Sequence, residues 1–408
     1  MLRSAVATQI RRIASDVVLM RYGAALGLVE ALTMVWVWLW REALVAGEPP
    51  ICWPIFQSCE AVRVLDLTGF SCLVIVVALL GLGASSAFLL GRARLGYWTL
   101  LLAGVLKIAI VLLDFRLRRN QHYMAIAVLA VFLFWPYKRD AIRLLIVGFY
   151  FAAGLLKFDM EWISGEGLTK PIWFFTGPWL VAACIYVIVL EVVVSWGLLV
   201  RRDWIFWSSL AQFAVFHVIS YSVVGFFYPI LMVLLLSIFP FCHWWSVTGG
   251  RLVEGESLLT RFGGRRLPRI VCVPFAIFGL LQVVPYLYPG DSALTGEGRY
   301  MALHMFDSLA VCERDLIITT ASGVQVQPGF PIVSKRIACD PWVLFAHART
   351  VCSAKEKDPS LQIDDVYMKL ESRRSTDLEL RLLVEEDRVC ERGLEYHWWR
   401  HNDWIRID

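Results

Sequence analysis

The sequence predicts an all-α polytopic membrane bundle of about nine transmembrane helices, followed by a small α+β extracytoplasmic domain. Composition, the spacing of apolar runs and a change of character after Pro289 carry this prediction. Of 408 residues, 58% are hydrophobic and 18% charged, and the mean hydropathy is +0.61. A soluble chain runs near 45–50% apolar and about 25% charged, so the excess calls for a second, apolar solvent. A formal charge of +4 is small for this length and points to no nucleic-acid partner. The basic residues instead gather at the edges of apolar runs, as the lipid bilayer requires.

Candidate crossings lie near 17–40, 66–90, 96–114, 122–137, 142–157, 178–200, 204–220, 223–242 and 267–288. The segment before the first is basic and amphipathic (Arg3, Arg11, Arg12), so that run reads as a retained helix rather than a cleaved signal. The runs at 122–137 and 142–157 fall short of the ~20 residues of a spanning helix, which predicts tilted or partial crossings. Basic residues set the orientation. With the N-terminus cytoplasmic, the inner segments hold Arg11, Arg12, Arg21, Arg92, Arg94, Lys138, Arg139, Arg143, Arg201, Arg202, Arg251, Arg261, Arg265, Arg266 and Arg269. The outer loops hold Arg41, Arg63, Lys170 and the trio Arg116, Arg118, Arg119. The imbalance predicts a cytoplasmic N-terminus and an extracytoplasmic C-terminal domain, in a bacterial inner membrane or an endoplasmic reticulum membrane. The trio is the exception to it.

Residues 1–289 thus form the membrane domain and 290–408 a mixed polar one. In the latter, Asp315–Thr320 and Val366–Leu370 read as strands, Ala321-Ser322-Gly323 as a hairpin turn, and Pro341 to Cys352 as a helix. Cys72, Cys184 and Cys272 sit in apolar runs, where cysteine behaves as a small hydrophobe. Cys52 and Cys59 share the first outer loop, and Cys312, Cys339, Cys352 and Cys390 lie in the C-terminal domain. In an oxidising compartment disulfides form among these six, with the connectivity open. No spacing resembles a zinc site, so no metal is expected.

Ionisable residues at membrane depth are costly and mark function or pairing. Glu30, Lys107 and Glu191 read as structural partners that neutralise one another. His122, Lys157 and His217 differ, because the topology brings them to a similar depth near the outer face. His122 opens the fourth crossing, Lys157 closes the fifth, and His217 lies near the outer end of the seventh. Such convergence suggests a site between helices. A dehydrated apolar pocket disfavours an ammonium, which is the condition a lysine general base needs. The walls also suit a lipophilic substrate entering from the bilayer.

The stretch Ala153-Gly154-Leu155-Leu156-Lys157-Phe158-Asp159-Met160-Glu161-Trp162-Ile163-Ser164-Gly165 resembles the vitamin K-dependent gamma-carboxylase family, which carries Ala-Gly-x-x-Lys-Leu-Asp-x-x-Trp-x-x-Gly there. Its wider relatives are the bacterial horizontally transferred transmembrane domain proteins. Asn120-Gln121-His122-Tyr123-Met124 looks like the family's Asn-Asn-His segment, and Phe216-His217, running on to Phe226, like its Phe-His segment. The resemblance covers roughly residues 15–290. It implies that Lys157 is the base that deprotonates vitamin K hydroquinone or a related quinol, with O2 and CO2 as co-substrates. The activity implied is a lyase-type carboxylation of a protein glutamate coupled to quinol epoxidation. His122 and His217 become catalytic candidates, and Asn120, Asp159, Trp162 and Tyr221 candidates for binding substrate or cofactor. Leu156 stands where the family often has a second lysine, and the region 290–408 is shorter than the family's lumenal part. The alternatives are a non-catalytic quinone- or lipid-binding module, and an assembly subunit that docks a membrane partner through Trp398-Trp399.

Overall fold

The computed structural model describes residues 2–45, 50–56, 59, 66–168, 170, 172, 174–200, 202–247, 268–303, 310–327 and 335–407. Arg63, Arg201, Arg251, Arg261, Arg265 and Arg266, used above for orientation, lie outside the described residues.

Among the described residues, seven helices are long and apolar enough to cross a membrane: Val17–Leu39, Leu67–Leu89, Ala93–Leu112, Pro178–Leu199, Asp203–Val224, Phe227–Trp245 and Arg269–Leu287. Their starts follow local chemistry. Asp16 accepts from the backbone N–H groups of Val18 and Leu19, and Asp66 from that of Gly69, each satisfying donors that a helix N-terminus leaves open. The first two of these helices meet through glycine. A Cβ on Gly27 would stand 2.5 Å from the carbonyl oxygen of Gly81, and one on Gly81 would stand 2.7 Å from that of Gly27. Only bare backbone permits so close a crossing, which replaces hydrophobic drive as the source of contact in lipid. Pro240 divides the span after Phe227 into Phe227–Leu236 and Ile238–Val247, since proline lacks the N–H a continuous helix needs.

The two short runs form Asn120–Phe134 and Lys138–Leu155. Fifteen residues rise about 22 Å, short of the ~30 Å hydrocarbon core. Pro136 ends the first of them, and Tyr137 turns the chain at φ 54°. Lys138 then donates to the carbonyls of Leu133 and Trp135. The second helix is buried over most of its length, enclosed by its neighbours. Its charged first turns are paired, Arg139 with Asp16 and Arg143 with Asp140.

After the last apolar helix come four antiparallel strands in the order β2-β1-β3-β4: β1 Val311–Thr320, β2 Gln325–Val326, β3 Ile363–Arg373 and β4 Arg381–Glu386. The turn after β1 holds Gly323 at φ +79°, a conformation that glycine adopts freely. On β3 the residues Val366, Met368, Leu370 and Ser372 are buried in strict alternation, the period of a strand with one face on a core. The helix Pro341–Lys357 covers that face, capped by Asp340. Trp342 and Phe345 on it pack with Tyr396 and Trp404.

Three disulfides close at this end of the molecule: Cys52–Cys59, Cys312–Cys339 and Cys352–Cys390. Trp342 Nε1 donates to the Cys52 carbonyl at 2.9 Å, tying the domain to the bundle. The arginine trio lies at the same junction. Arg116 pairs with Asp114 at 2.6 Å, Arg118 faces Asp340 at 3.7 Å, and Arg119 stands 5.3 Å over the Trp36 ring. Burial brings the Arg118 guanidinium down to about 10, with Asp340 opposing the shift. Two of the three charges that break the loop imbalance therefore carry their own acidic partners.

Candidate functional site

Lys157 follows directly on the end of the Lys138–Leu155 helix. Gly154 determines what it meets. A Cβ there would stand 2.6 Å from Val192 Cγ2 and 3.0 Å from Glu191 Cβ. Glycine therefore lets the Pro178–Leu199 helix approach until Glu191 reaches the lysine. Lys157 Nζ donates to Glu191 Oε2 at 2.5 Å, and both side chains are 4% exposed. Nζ also lies 3.4 Å from the Ala153 carbonyl and 5.0 Å over the Trp162 ring, a cation–π geometry. Ser195 donates to the Glu191 carbonyl at 2.7 Å, where the helix tightens into its 3-10 turn.

Beyond Lys157 the chain reverses. Asp159 accepts from the Trp162 N–H and caps the short helix Met160–Ile163. Trp162 Nε1 donates to the Cys184 carbonyl at 2.9 Å, which fixes its ring against the lysine. A cavity of about 540 Å³ opens beside this group. Arg119, Asn120, Gln121, Lys157, Glu191, Gln212 and Ser220 supply its polar lining, and Trp162 an aromatic wall. Its remaining walls are mostly apolar, from Leu168, Val187, Val215, Ile219, Val223 and Phe226 among others.

The candidates read from the sequence separate here. Lys157, Asn120 and Trp162 line this cavity. Asp159 does not; it caps the next helix and faces Arg374 at 3.9 Å. His217 stands behind the wall, its Nε2 2.7 Å from the Tyr150 hydroxyl, with Phe216 beside it lining the cavity. Tyr221 is 56% exposed and packs against Phe226. His122 lines a second cavity of about 550 Å³, bounded by Ile108, Leu112, Phe134 and Ile277. Its ring lies edge-on to Trp36 at 5.7 Å, and neither nitrogen makes a hydrogen bond among the described residues. Asn120 and Arg119 border both cavities.

The acids also divide. Glu30 pairs with Lys107 at 3.1 Å, as the sequence suggests, whereas Glu191 joins Lys157 and not that pair. Sequence reasoning missed Glu191 as the lysine's partner and Tyr150 as the histidine's. Counting charge could have found the first: two acids at membrane depth need two cations, and Lys107 is one. No group of three or more His, Cys, Asp or Glu side chains suited to a metal occurs among the described residues.

Comparison with known protein families, curated proteins and solved structures finds no match. A buried lysine–glutamate pair at the wall of a largely apolar cavity is joined through one hydrogen-bonded proton between Nζ and Oε2. Its stability depends on the short contact and on further hydrogen bonds offsetting desolvation. A ligand able to exchange a proton with Nζ would meet it directly.

Proposed function

We propose that this chain is a membrane-embedded, quinol-dependent carboxylase or epoxidase of the vitamin K-dependent gamma-carboxylase type, with Lys157 as general base. The observation that carries this reading is the burial of Lys157 beside Glu191 and Trp162 in the wall of a largely apolar 540 Å³ cavity. The lining fits a quinol: apolar walls for its ring and tail, with a proton acceptor and the amides of Asn120 and Gln121 among them. A hydroquinone bound there would supply an acidic hydroxyl and the electrons that reduce dioxygen. With the proton of the pair on Glu191, the neutral amine of Lys157 would take up the quinol's proton, and Glu191 and the Trp162 ring would hold the resulting ammonium. Asn120 and Gln121 would orient the polar end of the ligand. A protein glutamate is the proposed acceptor, with CO2 as co-substrate.

On the same reading the C-terminal domain is extracytoplasmic and the N-terminus cytoplasmic. The gathering of all three disulfides at one end supports this, since such bonds persist in oxidising compartments. The loop imbalance in Arg and Lys supports it too.

A second reading is a non-catalytic quinone- or lipid-binding or assembly subunit. The observation in its favour is that Glu191 already satisfies Lys157, so the pair is complete as a structural element. Purified protein incubated with vitamin K hydroquinone and labelled bicarbonate separates the two. Epoxide together with fixed carbon is the expected result. Epoxide alone would narrow the activity to quinol epoxidation, and neither product would leave the second reading standing.

A further inference from the structure

The last turns of the chain use their aromatic residues in two ways. Tyr396 and Trp404 face inward, 3% and 8% exposed, and complete the core around Trp342 and Phe345. Trp398 and Trp399 do the opposite. They are 39% and 61% exposed, edge to face at 5.6 Å, and contribute little to that core. Flexibility does not account for their exposure, because the loop that bears them is fixed from beneath. Buried Glu297 accepts from the Asn402 N–H at 2.9 Å and from Asn402 Nδ2 at 2.8 Å, and it pairs with His401 at 2.7 Å. Asn402 in turn accepts from the His397 N–H.

Their place in the molecule is set by the last apolar helix, Arg269–Leu287. Tyr288, the next residue, donates its hydroxyl to the Trp398 carbonyl at 2.7 Å. Two residues on, a Cβ at Gly290 would stand 3.0 Å from Ile407 Cβ, so the C-terminal tail folds down onto the exit of the helix. The tryptophan pair therefore stands within one tyrosine side chain of the point where the chain leaves the hydrocarbon. The polar interface flanking that core is about 5–8 Å deep on each side. Tyr286 and Leu287 at the helix end are 69% and 75% exposed, so the apolar surface of the last crossing runs up to Tyr288, the residue that holds Trp398. Exposed Arg400 follows immediately.

We propose that Trp398, Trp399 and Arg400 form a membrane-interface anchor that seats the C-terminal domain on the bilayer. The rings lie at headgroup level, where an apolar body with one polar edge is favoured, and the guanidinium reaches lipid phosphate. The occupant of this surface is lipid, because Tyr288 and Gly290 hold the loop at the end of the last apolar helix, whose terminal residues are exposed. The anchor is independent of any chemistry at Lys157.

The test uses the wild-type full chain in nanodiscs of phosphatidylcholine and phosphatidylglycerol, with a phosphatidylcholine carrying a diazirine high on its acyl chain. After photolysis and reduction, trypsin releases Gly393–Arg400 as one peptide and Asp358–Lys369 as another. The second begins beyond the far end of the Pro341–Lys357 helix, about 25 Å from where that helix starts beside Arg118, and its strand residues Val366 and Met368 are buried in the domain core. Lipid adducts on the first peptide and none on the second are expected, with loss of the adducts in the Trp398→Ala, Trp399→Ala double variant. An unlabelled Gly393–Arg400 alongside a labelled Arg269–Leu287 helix would overturn the proposal. So would cross-linking of this peptide in native membranes to a second copy or another protein in place of lipid.

Discussion

Glu161 accepts the backbone N–H of Ser375 at 2.8 Å and its hydroxyl at 3.1 Å, joining the loop after Lys157 to the turn between β3 and β4. Arg374 widens the junction, reaching Asp291 at 2.5 Å and Glu161 at 3.5 Å. The segment that carries Lys157 and Trp162 is thereby held by the C-terminal domain as well as by the bundle.

The two acids at this junction titrate with opposite sign. Burial raises the Glu161 carboxyl above its ordinary range, even against the bonds from Ser375 and the charge of Arg374. Burial also pushes Asp291 up, but the Arg374 bond and charge outweigh it and the net shift is downward. Protonation of Glu161 is thus easier in the folded chain, so its contribution is greatest in acid and declines as pH rises through the raised value. The contribution of Asp291 is present above its unfolded value near ~3.9 and is lost as pH falls through the lowered one. Thermal unfolding across pH checks both. The Tm of Glu161→Gln should gain on that of wild type as pH rises above the ordinary glutamate range, while Asp291→Asn should cost most at neutral pH.

Lys157→Arg separates base from cation. The guanidinium keeps a positive charge against Glu191 but stays protonated, so it cannot accept a proton. Both Lys157→Arg and Lys157→Ala should lower epoxide formation by at least the ~10²–10⁴-fold typical of general acid–base assistance. His122→Ala, acting from the neighbouring cavity, should lower activity without removing it. An arginine variant of near-normal activity would refute the role of base.

Glu30 and Lys107 test the cost of an unpaired charge at depth. Lys107→Met alone should destabilise the fold by about 3–5 kcal/mol, because it leaves a buried carboxylate uncompensated. The double variant Glu30→Leu, Lys107→Met should recover most of that loss. Unfolding of both variants in detergent measures the difference, and equal losses would deny the pairing.

Non-reducing peptide mapping should recover Cys52–Cys59, Cys312–Cys339 and Cys352–Cys390 as the only linkages among these six cysteines. Cys352→Ser, Cys390→Ser, which opens the bridge with the longest separation, should lower stability by about 2–5 kcal/mol. Free thiols at Cys52 and Cys59 in protein that has never been reduced would contradict the first of these bonds.

Much of the architecture is legible in residue order. Apolar length marks the seven long helices, and β3 shows its alternation directly in Val366, Met368 and Leu370. The turn at Ala321-Ser322-Gly323 carries its own chemistry. The Asn120–Phe134 and Lys138–Leu155 helices show where composition stops informing: their shortness is plain, but their enclosure depends on neighbours far along the chain. The candidate site divides in the same way. Lys157 stands out as a cation in an apolar run, whereas its link to Glu191 depends on Gly154 admitting a second helix. Residue order predicts a similar depth for His122 and Lys157, yet depth does not fix azimuth, and the two line different cavities. Pairs between Asp159 or Glu161 and Arg374 span more than two hundred residues, beyond the reach of any local pattern.

The Glu30–Lys107 pair also bears on how the protein is made. The two residues are 77 positions apart, with the whole Leu67–Leu89 helix between them. At ~5–20 residues per second, synthesis leaves Glu30 waiting about 4–15 s before its counter-ion emerges. During that interval the first long helix carries a carboxyl group that lipid tolerates poorly. It must remain near the insertion machinery or be shielded by a chaperone until the Ala93–Leu112 helix arrives. Biogenesis of this protein is therefore committed to a relay of at least three helices, and a nascent chain stalled before Lys107 would be an immediate target for membrane quality control.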